Sequence, residues 1–135
     1  MRLNQVTVGA TDFRKSVDFY LKLGLRLIVS SREQYARFEL PDGEATFSLH
    51  LQDHVSPDGP LIYFETDELD AVVERLEAAG VVFASPPENK NWRWREARLF
   101  DPAGNQLCLY KAGQDRRYPP WRIDLTSNDA SDQSR

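Results

Sequence analysis

The chain has 135 residues, of which 28% are charged and 41% are hydrophobic, and its net charge is −4 at pH 7. This balance is typical of a globular chain of one domain or two small repeats, and it excludes disordered and membrane-spanning chains. The negative charge argues against nucleic acid as a partner, while the single cysteine and the lack of a leader-like opening predict a cytoplasmic protein.

The first 52 residues predict a strand, a short helix and three further strands. Residues 3–10 alternate in polarity, as a half-buried strand does. Thr11 or Asp12 can cap a helix whose apolar residues recur at helical spacing, and Gly24 predicts its end. Further strands are predicted over residues 25–30, 35–40 and 45–52.

The same order of elements returns after a linker over residues 53–60, which holds two prolines and one glycine. A strand is predicted over residues 61–65, and Asp67 or Glu68 caps a helix that ends at Gly80. The later elements are a strand over 81–84, a polar, proline-rich loop over 85–91, and two strands within 92–110 around the turn D-P-A-G-N.

These two series of elements form an internal repeat. Gly80 follows Gly24 by 56 residues, whereas Arg98 follows Arg37 by 61 residues. The difference of five residues predicts an insertion in the second copy, in the region of residues 85–91. Two copies of strand-helix-strand-strand-strand predict an α+β fold.

Two motifs and the βαβββ repeat carry a family resemblance. The motifs are D-F-x-x-S-V-D-F-Y-x-x-L-G-L, from Asp12 to Leu25, and D-P-A-G-N-x-L-x-L, from Asp101 to Leu109. Over residues 1–112 the chain resembles the vicinal oxygen chelate superfamily of glyoxalases, bleomycin resistance proteins and extradiol dioxygenases. The resemblance implies a curved, partly open β-barrel around a central cavity, with the helices outside, and usually a homodimer.

The expected division of the chain follows from the repeat and the linker. The first βαβββ module is predicted over residues 1–52, the linker over 53–60, the second module over 61–112 and a C-terminal tail over 113–135. In the tail, residues 114–122 hold the run Y-P-P-W, and this run, over residues 118–121, favours an extended, polyproline-like path. We expect this segment to pack on the domain or a partner subunit, and the alternative is a lid over the cavity.

Metal-dependent relatives in this superfamily carry ligands on the first and last strands of a module. The matching positions here are Gln5, Leu61, Cys108 and either Ser48 or His50. Leu61 cannot bind a metal, and Cys108 is a soft ligand where metal-binding relatives have a glutamate. We therefore expect no cofactor; the alternative is a divalent metal held by Gln5, His50 and Cys108.

Strand parity predicts which side chains line the cavity. Because Phe38 and Leu99 must face the helices, Arg37 and Arg98 face the other way. Glu96 can neutralise one arginine, and the second needs water or an anion. The predicted ligand-binding residues are Gln5, Thr7, Arg37, Ser48, Tyr63, Trp94, Arg98, Cys108 and Tyr110.

These residues predict a protein that binds a small anionic or aromatic molecule, and no membrane or nucleic acid. If it catalyses a reaction, lyase or isomerase chemistry with His50 or Glu96 as the base is expected. One alternative is a drug-sequestering protein without chemistry that resembles bleomycin resistance proteins. Another is a metal-dependent, glyoxalase-like lyase or a dioxygenase.

Overall fold

The protein consists of two βαβββ modules, as the repeat predicts. The computed structural model describes residues 1–123. The first module contains β1 (Gln5–Ala10), α1 (Phe13–Leu23), β2 (Arg26–Ser31), β3 (Tyr35–Glu39) and β4 (Thr46–Leu51). The second contains β5 (Leu61–Glu65), α2 (Leu69–Ala78), β6 (Phe83–Asn89), β7 (Arg95–Phe100) and β8 (Gln106–Lys111).

Each module forms its own four-stranded sheet. The strand orders are β1-β4-β3-β2 and β5-β8-β7-β6, so the two sheets have the same topology. In each sheet the first strand of the module runs parallel to the last one. The sheets are curved and do not close, which confirms the predicted α+β fold with an open barrel. Within residues 1–123, no helix is long and apolar enough to cross a membrane.

Local signals in the sequence set the ends of α1. The Asp12 side chain accepts a hydrogen bond from the Lys15 backbone N–H at 3.3 Å and so caps the first turn. Gly24 ends the helix with φ of 103°, a left-handed conformation that favours glycine. Both features agree with the prediction from the sequence.

One hydrophobic core joins the helices to the inner faces of both sheets. Tyr20 of α1 is completely buried, and its ring centroid lies 4.5 Å from that of Phe47 on β4. Phe47 in turn lies 5.7 Å from Phe64 on β5, so the aromatic contacts continue from one module into the other. The two modules therefore share a single core.

The D-P-A-G-N turn connects the second module to the first. The Asp101 carboxylate is buried and accepts hydrogen bonds from the backbone N–H groups of Ala103 and Asn105. It also accepts one from the hydroxyl of Tyr20, at 2.6 Å. Asn105 Nδ2 donates to the carbonyl oxygen of Gly9 at 2.8 Å. This motif is thus a structural link between the modules.

The structure corrects the predicted loop over residues 85–91. Strand β6 continues to Asn89 and pairs with β7, with shifts of register between Phe83 and Ser85 and between Ser85 and Glu88. β6 is one of the two edge strands of its sheet, and proline and irregular pairing are tolerated in an edge strand. The prolines at positions 86 and 87 therefore do not stop the strand.

The described part of the tail is compact, which corrects the predicted polyproline-like path. A 3-10 helix covers Gly113–Arg116, and the Arg122 backbone N–H then donates to the carbonyl oxygen of Pro119 at 3.0 Å, so the Y-P-P-W run forms a turn and not an extended path. Arg93 Nε lies 3.1 Å from an oxygen of Asp115, and Arg116 lies 3.8 Å from Glu65, so this segment is held against the second module. The predictions for residues 124–135 lie outside the described residues.

Candidate functional site

Each sheet packs one face against the helices and has a second face that carries no helix. We call these second faces the first open face, in the first module, and the second open face, in the second module. Alternation along the strands places polar and aromatic residues on both surfaces. The first open face contains Gln5, Thr7, Tyr35, Arg37, Ser48 and His50. The second open face contains Tyr63, Trp94, Glu96, Arg98, Cys108 and Tyr110.

The strand register shows which positions are equivalent in the two modules. On the first open face, Ser48 pairs with both Thr7 and Arg37. On the second, Cys108 pairs with both Tyr63 and Arg98. Ser48 is therefore the equivalent of Cys108. The sequence left Ser48 and His50 as alternatives for this position.

A chain of hydrogen bonds crosses the first open face. Gln5 Nε2 donates to Ser48 Oγ at 2.8 Å, and the hydroxyl of Thr46 donates to the amide oxygen of Gln5. Ser48 Oγ and the hydroxyl of Tyr35 are also hydrogen-bonded, at 2.8 Å. Arg37 Nε donates to the same Tyr35 hydroxyl at 2.9 Å. Five strand-borne side chains are thus connected in one unit, from Thr46 through Gln5, Ser48 and Tyr35 to Arg37.

Tyr35 is a member of this unit that the sequence did not single out as a site residue. The hydrogen bond with Ser48 lowers the pKa of Tyr35; burial opposes this, and the hydrogen bond and charge of Arg37 add to it. Its position two residues before Arg37 on a strand is the signal that could have identified it, because alternate residues share a face.

Three aromatic rings lie together on the second open face. The Trp94 and Tyr110 rings are stacked, with centroids 4.6 Å apart. Tyr63 meets both rings edge-on, at 5.9 Å from Trp94 and 5.5 Å from Tyr110. Tyr110 is buried beneath the other rings, whereas Tyr63 is 43% exposed. The cluster therefore presents an aromatic surface with a preset geometry.

Glu96 and Arg98 form an ion pair beside these rings. Arg98 Nη2 donates to one carboxylate oxygen of Glu96 at 3.1 Å, and Trp92 Nε1 donates to the other at 3.0 Å. Glu96 is only 1% exposed, so these bonds compensate for the burial of its charge. Burial acts to lower the pKa of Arg98, but the hydrogen bond with Glu96 and the neighbouring acidic groups outweigh it and leave that pKa raised.

Cys108 lies beneath the ion pair and is fully buried. Burial raises the pKa of its thiol to about 11, and the negative charge of Glu96 acts in the same direction. The thiolate is the reactive form of cysteine. Cys108 therefore behaves as a small core residue at neutral pH.

The geometry does not fit the metal site that the sequence offered as an alternative. Gln5 pairs with Thr46, whereas His50 pairs with Gly9, so the two side chains are four residues apart along adjoining strands. This separation is about 13 Å at a rise of about 3.3 Å per residue, and Cys108 lies in the other sheet. Within residues 1–123 there is no group of three or more His, Cys, Asp or Glu side chains that could hold a metal ion.

The two predicted bases lie on different sheets. His50 is exposed on the first open face, opposite Tyr35 on the neighbouring strand. Glu96 is buried on the second open face, where both of its oxygens already accept hydrogen bonds. Glu96 cannot take up a proton without weakening the pair with Arg98, whereas His50 is accessible to solvent.

A cavity of about 400 Å³ lies at the edge of the second module, next to Trp94. Four basic residues line it: Lys90, Arg93, Arg95 and Lys111. Three of the four are paired with acidic side chains, namely Glu88, Asp115 and Asp70. The charge of this cavity is therefore largely neutralised by these pairs.

Comparison with known proteins adds a family match. Residues 2–109 match the family described as Glyoxalase/Bleomycin resistance protein/Dioxygenase superfamily. The chain is also 30% identical over 126 residues to the protein named "Uncharacterized protein YraH" of Bacillus subtilis (strain 168), an alignment that covers 82% of this chain and 98% of the relative.

Solved structures share the fold. A superfamily member from Sphaerobacter thermophilus DSM 20745 is 25% identical, with a TM-score of 0.68, and the match covers 82% of this chain and 97% of that one. A bleomycin-binding protein complexed with bleomycin is 18% identical, with a TM-score of 0.67 and coverage of 82% and 98%. Lactoylglutathione lyase from Agrobacterium tumefaciens is 19% identical, with a TM-score of 0.68 and coverage of 82% and 92%.

Proposed function

Because the chain belongs to the glyoxalase/bleomycin resistance protein/dioxygenase superfamily, we propose that it binds a small aromatic molecule with an anionic group. The site is the second open face, where the aromatic part of the ligand lies against Tyr63 and Trp94. The anionic group approaches the guanidinium of Arg98. The observation that carries this proposal is the aromatic cluster placed directly beside an arginine whose side chain is 39% exposed.

The aromatic cluster suits a planar ligand for two reasons. The stacked pair of Trp94 and Tyr110 is held in place by the edge-on ring of Tyr63, so little conformational freedom is lost when a further ring packs on it. Aromatic pairs contribute about 0.5–1.5 kcal/mol beyond the burial of their area. The bleomycin-binding protein of the same fold supports a small molecule as the ligand.

The arrangement favours binding over turnover on this face. Glu96 is engaged through both oxygens, and the buried thiol of Cys108 has its pKa raised to about 11. The oxygens of Glu96 are thus occupied by the donors of Arg98 and Trp92, and the thiol of Cys108 is not in its reactive thiolate form at neutral pH. We therefore prefer a sequestering or sensing role to the lyase, isomerase and metal-dependent alternatives for the second open face.

Isothermal titration calorimetry with two matched probes tests the proposal. Naphthoate carries the anionic group and naphthylmethanol is its neutral analogue, and we expect naphthoate to bind more tightly. A hydrogen bond to a charged group contributes about 1.5–3 kcal/mol, so Arg98→Gln is expected to weaken naphthoate binding by about tenfold or more. Bleomycin is titrated in parallel as a larger ligand.

The repeat supplies the control for this experiment. Arg37 is equivalent to Arg98 but lies on the first open face, so Arg37→Gln is expected to leave naphthoate binding unchanged. Because Arg98→Gln leaves the buried Glu96 without its charged partner, the double variant Glu96→Gln, Arg98→Gln is measured as well. Equal affinity for naphthoate in all variants, or equal binding of the two probes, would overturn the proposal.

A homodimer and a cytoplasmic location remain predictions from the sequence. Sedimentation equilibrium of the purified chain tests the first of them. A mass of twice 15.5 kDa is expected, and a mass that stays at the monomer value over the accessible concentrations contradicts it.

A further inference from the structure

The internal repeat relates two junctions between the modules, and they are built from different side chains. At the first junction, the Tyr20 hydroxyl of α1 donates to the buried Asp101, at the turn between β7 and β8. At the second junction, the equivalent residues are Leu76 of α2, which follows Tyr20 by 56 residues, and Leu40, which precedes Asp101 by 61 residues. The second junction therefore lacks both the phenol ring and the carboxylate that join the modules at the first.

The backbone supports this match between the two helices. The N–H of Leu25 donates to the carbonyl oxygen of Tyr20 at 3.1 Å, and the N–H of Val81 donates to that of Leu76 at 3.0 Å. Tyr20 and Leu76 are both completely buried. They hold the same place in their modules, but the smaller leucine does not fill the volume that the tyrosine ring fills.

A cavity of about 410 Å³ lies at the second junction. Its walls come from both modules, namely the end of α1, the turn after β3, helix α2 and strands β5 and β8. Leu76 lines it, together with Phe64 and Leu109, which are register partners on β5 and β8. Leu109 is 4% exposed, so the cavity extends to core residues. An apolar cavity of this size at the boundary of two modules is typical of small-molecule sites.

The first junction has a cleft on the outer side of its helix instead. Lys15 and Asp18 of α1 line that cleft, and both are exposed. Val72 and Leu76 of α2, which line the cavity at the second junction, pack against the core. This difference agrees with the position of the Tyr20 ring, which occupies the core side of the first junction.

Polar groups at the second junction can pair with a hydroxyl group. Arg75, Asp42 and Glu65 line the cavity, and all three are exposed. Glu65 lies 3.8 Å from Arg116, so two acidic and two basic groups balance here. No excess of charge attracts a carboxylate or an amine to this place. An uncharged hydroxyl, in contrast, can accept a hydrogen bond from a guanidinium and donate one to a carboxylate.

We propose that this cavity binds a small phenol, which supplies the ring that the second junction lacks. The ring packs against Leu76, Phe64 and Leu109, and the hydroxyl accepts from Arg75. The hydroxyl donates to Asp42, which lies in the turn equivalent to the one that holds Asp101. The site lies on the helix side of the sheets and is separate from both open faces.

A titration with p-cresol, the side-chain analogue of tyrosine, tests the proposal. Methyl proton–carbon correlation NMR of the full-length protein follows it, and conservative single replacements assign the signals of Leu76, Leu109 and Val72. We expect p-cresol to shift these three sets of signals. Toluene is the matched probe without a hydroxyl, and p-cresol is expected to bind about tenfold more tightly, because its hydroxyl pairs with charged groups.

Two variants and a control separate this site from other places on the protein. Leu76→Phe puts a ring into the cavity and is expected to weaken p-cresol binding by about tenfold or more, with folding checked by circular dichroism. Arg75→Gln changes an exposed residue and tests the proposal independently of core packing. It is expected to reduce the preference for p-cresol over toluene to about threefold or less. Lys15→Gln, at the cleft of the first junction, should retain the full affinity for p-cresol.

Three outcomes would overturn the proposal. The first is that p-cresol shifts the indole signal of Trp94, on the second open face, while the methyl signals of Leu76 and Leu109 stay in place. The second is that folded Leu76→Phe binds p-cresol as tightly as the wild type does. The third is that p-cresol and toluene bind the wild type with equal affinity.

Discussion

Replacing Tyr20 with phenylalanine tests the structural link between the two modules. The hydroxyl of Tyr20 donates to Asp101 at 2.6 Å, and both side chains are buried. A hydrogen bond to a charged group contributes about 1.5–3 kcal/mol, and the other donors to Asp101 remain in the variant. We therefore expect Tyr20→Phe to lower the free energy of unfolding by about 2 kcal/mol.

This loss is measurable by urea and thermal unfolding followed by circular dichroism. For a chain of this size, about 2 kcal/mol corresponds to a decrease in Tm of roughly 6–8 °C. Tyr118→Phe removes the hydroxyl of a tyrosine that is 56% exposed and serves as the control. The reasoning is refuted if Tyr20→Phe changes the stability no more than Tyr118→Phe does.

The same hydroxyl makes the stability of the folded protein depend on pH in the alkaline range. Burial, followed by the charge and hydrogen bond of Asp101, raises the pKa of Tyr20. Above about pH 10 the unfolded chain loses this proton while the folded chain retains it, so the stability of the folded state falls as pH rises. In Tyr20→Phe this contribution to the alkaline loss of stability is expected to be absent.

Two further predictions concern a backbone turn and the thiol. Gly24→Ala is expected to destabilise the protein by about 1 kcal/mol in urea unfolding, because Gly24 has φ of 103°. Gly59→Ala serves as the control, because Gly59 has no positive φ. Equal losses of stability in the two variants would contradict this prediction. Cys108 is expected to resist alkylation by iodoacetamide in the native protein at mildly alkaline pH, because its thiol is buried and has a pKa of about 11. In urea it is expected to react fully, and mass spectrometry follows both reactions. Native alkylation at the rate of the unfolded chain would show that Cys108 is accessible.

The open faces could be predicted from the sequence because strand alternation depends only on local order. Arg37 and Arg98 were assigned to them because Phe38 and Leu99 had to face the helices, and the repeat matched the two arginines. The choice between Ser48 and His50 needed the register of β4 against β1 and β3, which a single sequence does not contain.

Long-range contacts explain what the sequence did not reveal. The D-P-A-G-N motif was predicted as a turn, but its bonds to Tyr20 and Gly9 span 81 and 96 residues. Tyr35 became a candidate only when its side chain was found between Ser48 and Arg37. The predicted loop over residues 85–91 was wrong because proline is excluded from inner strands but tolerated on the edge strand β6.

The most direct test of the ligand site is a proton–nitrogen correlation NMR spectrum of the indole groups during a titration with naphthoate. The chain has three tryptophans, at positions 92, 94 and 121, so three indole signals are expected and single replacements assign them. We predict that naphthoate shifts the signal of Trp94, which belongs to the aromatic cluster, and that of Trp92, which donates to Glu96. The signal of Trp121 should stay in place. A titration that leaves Trp94 unshifted while naphthoate binds would contradict the proposed site.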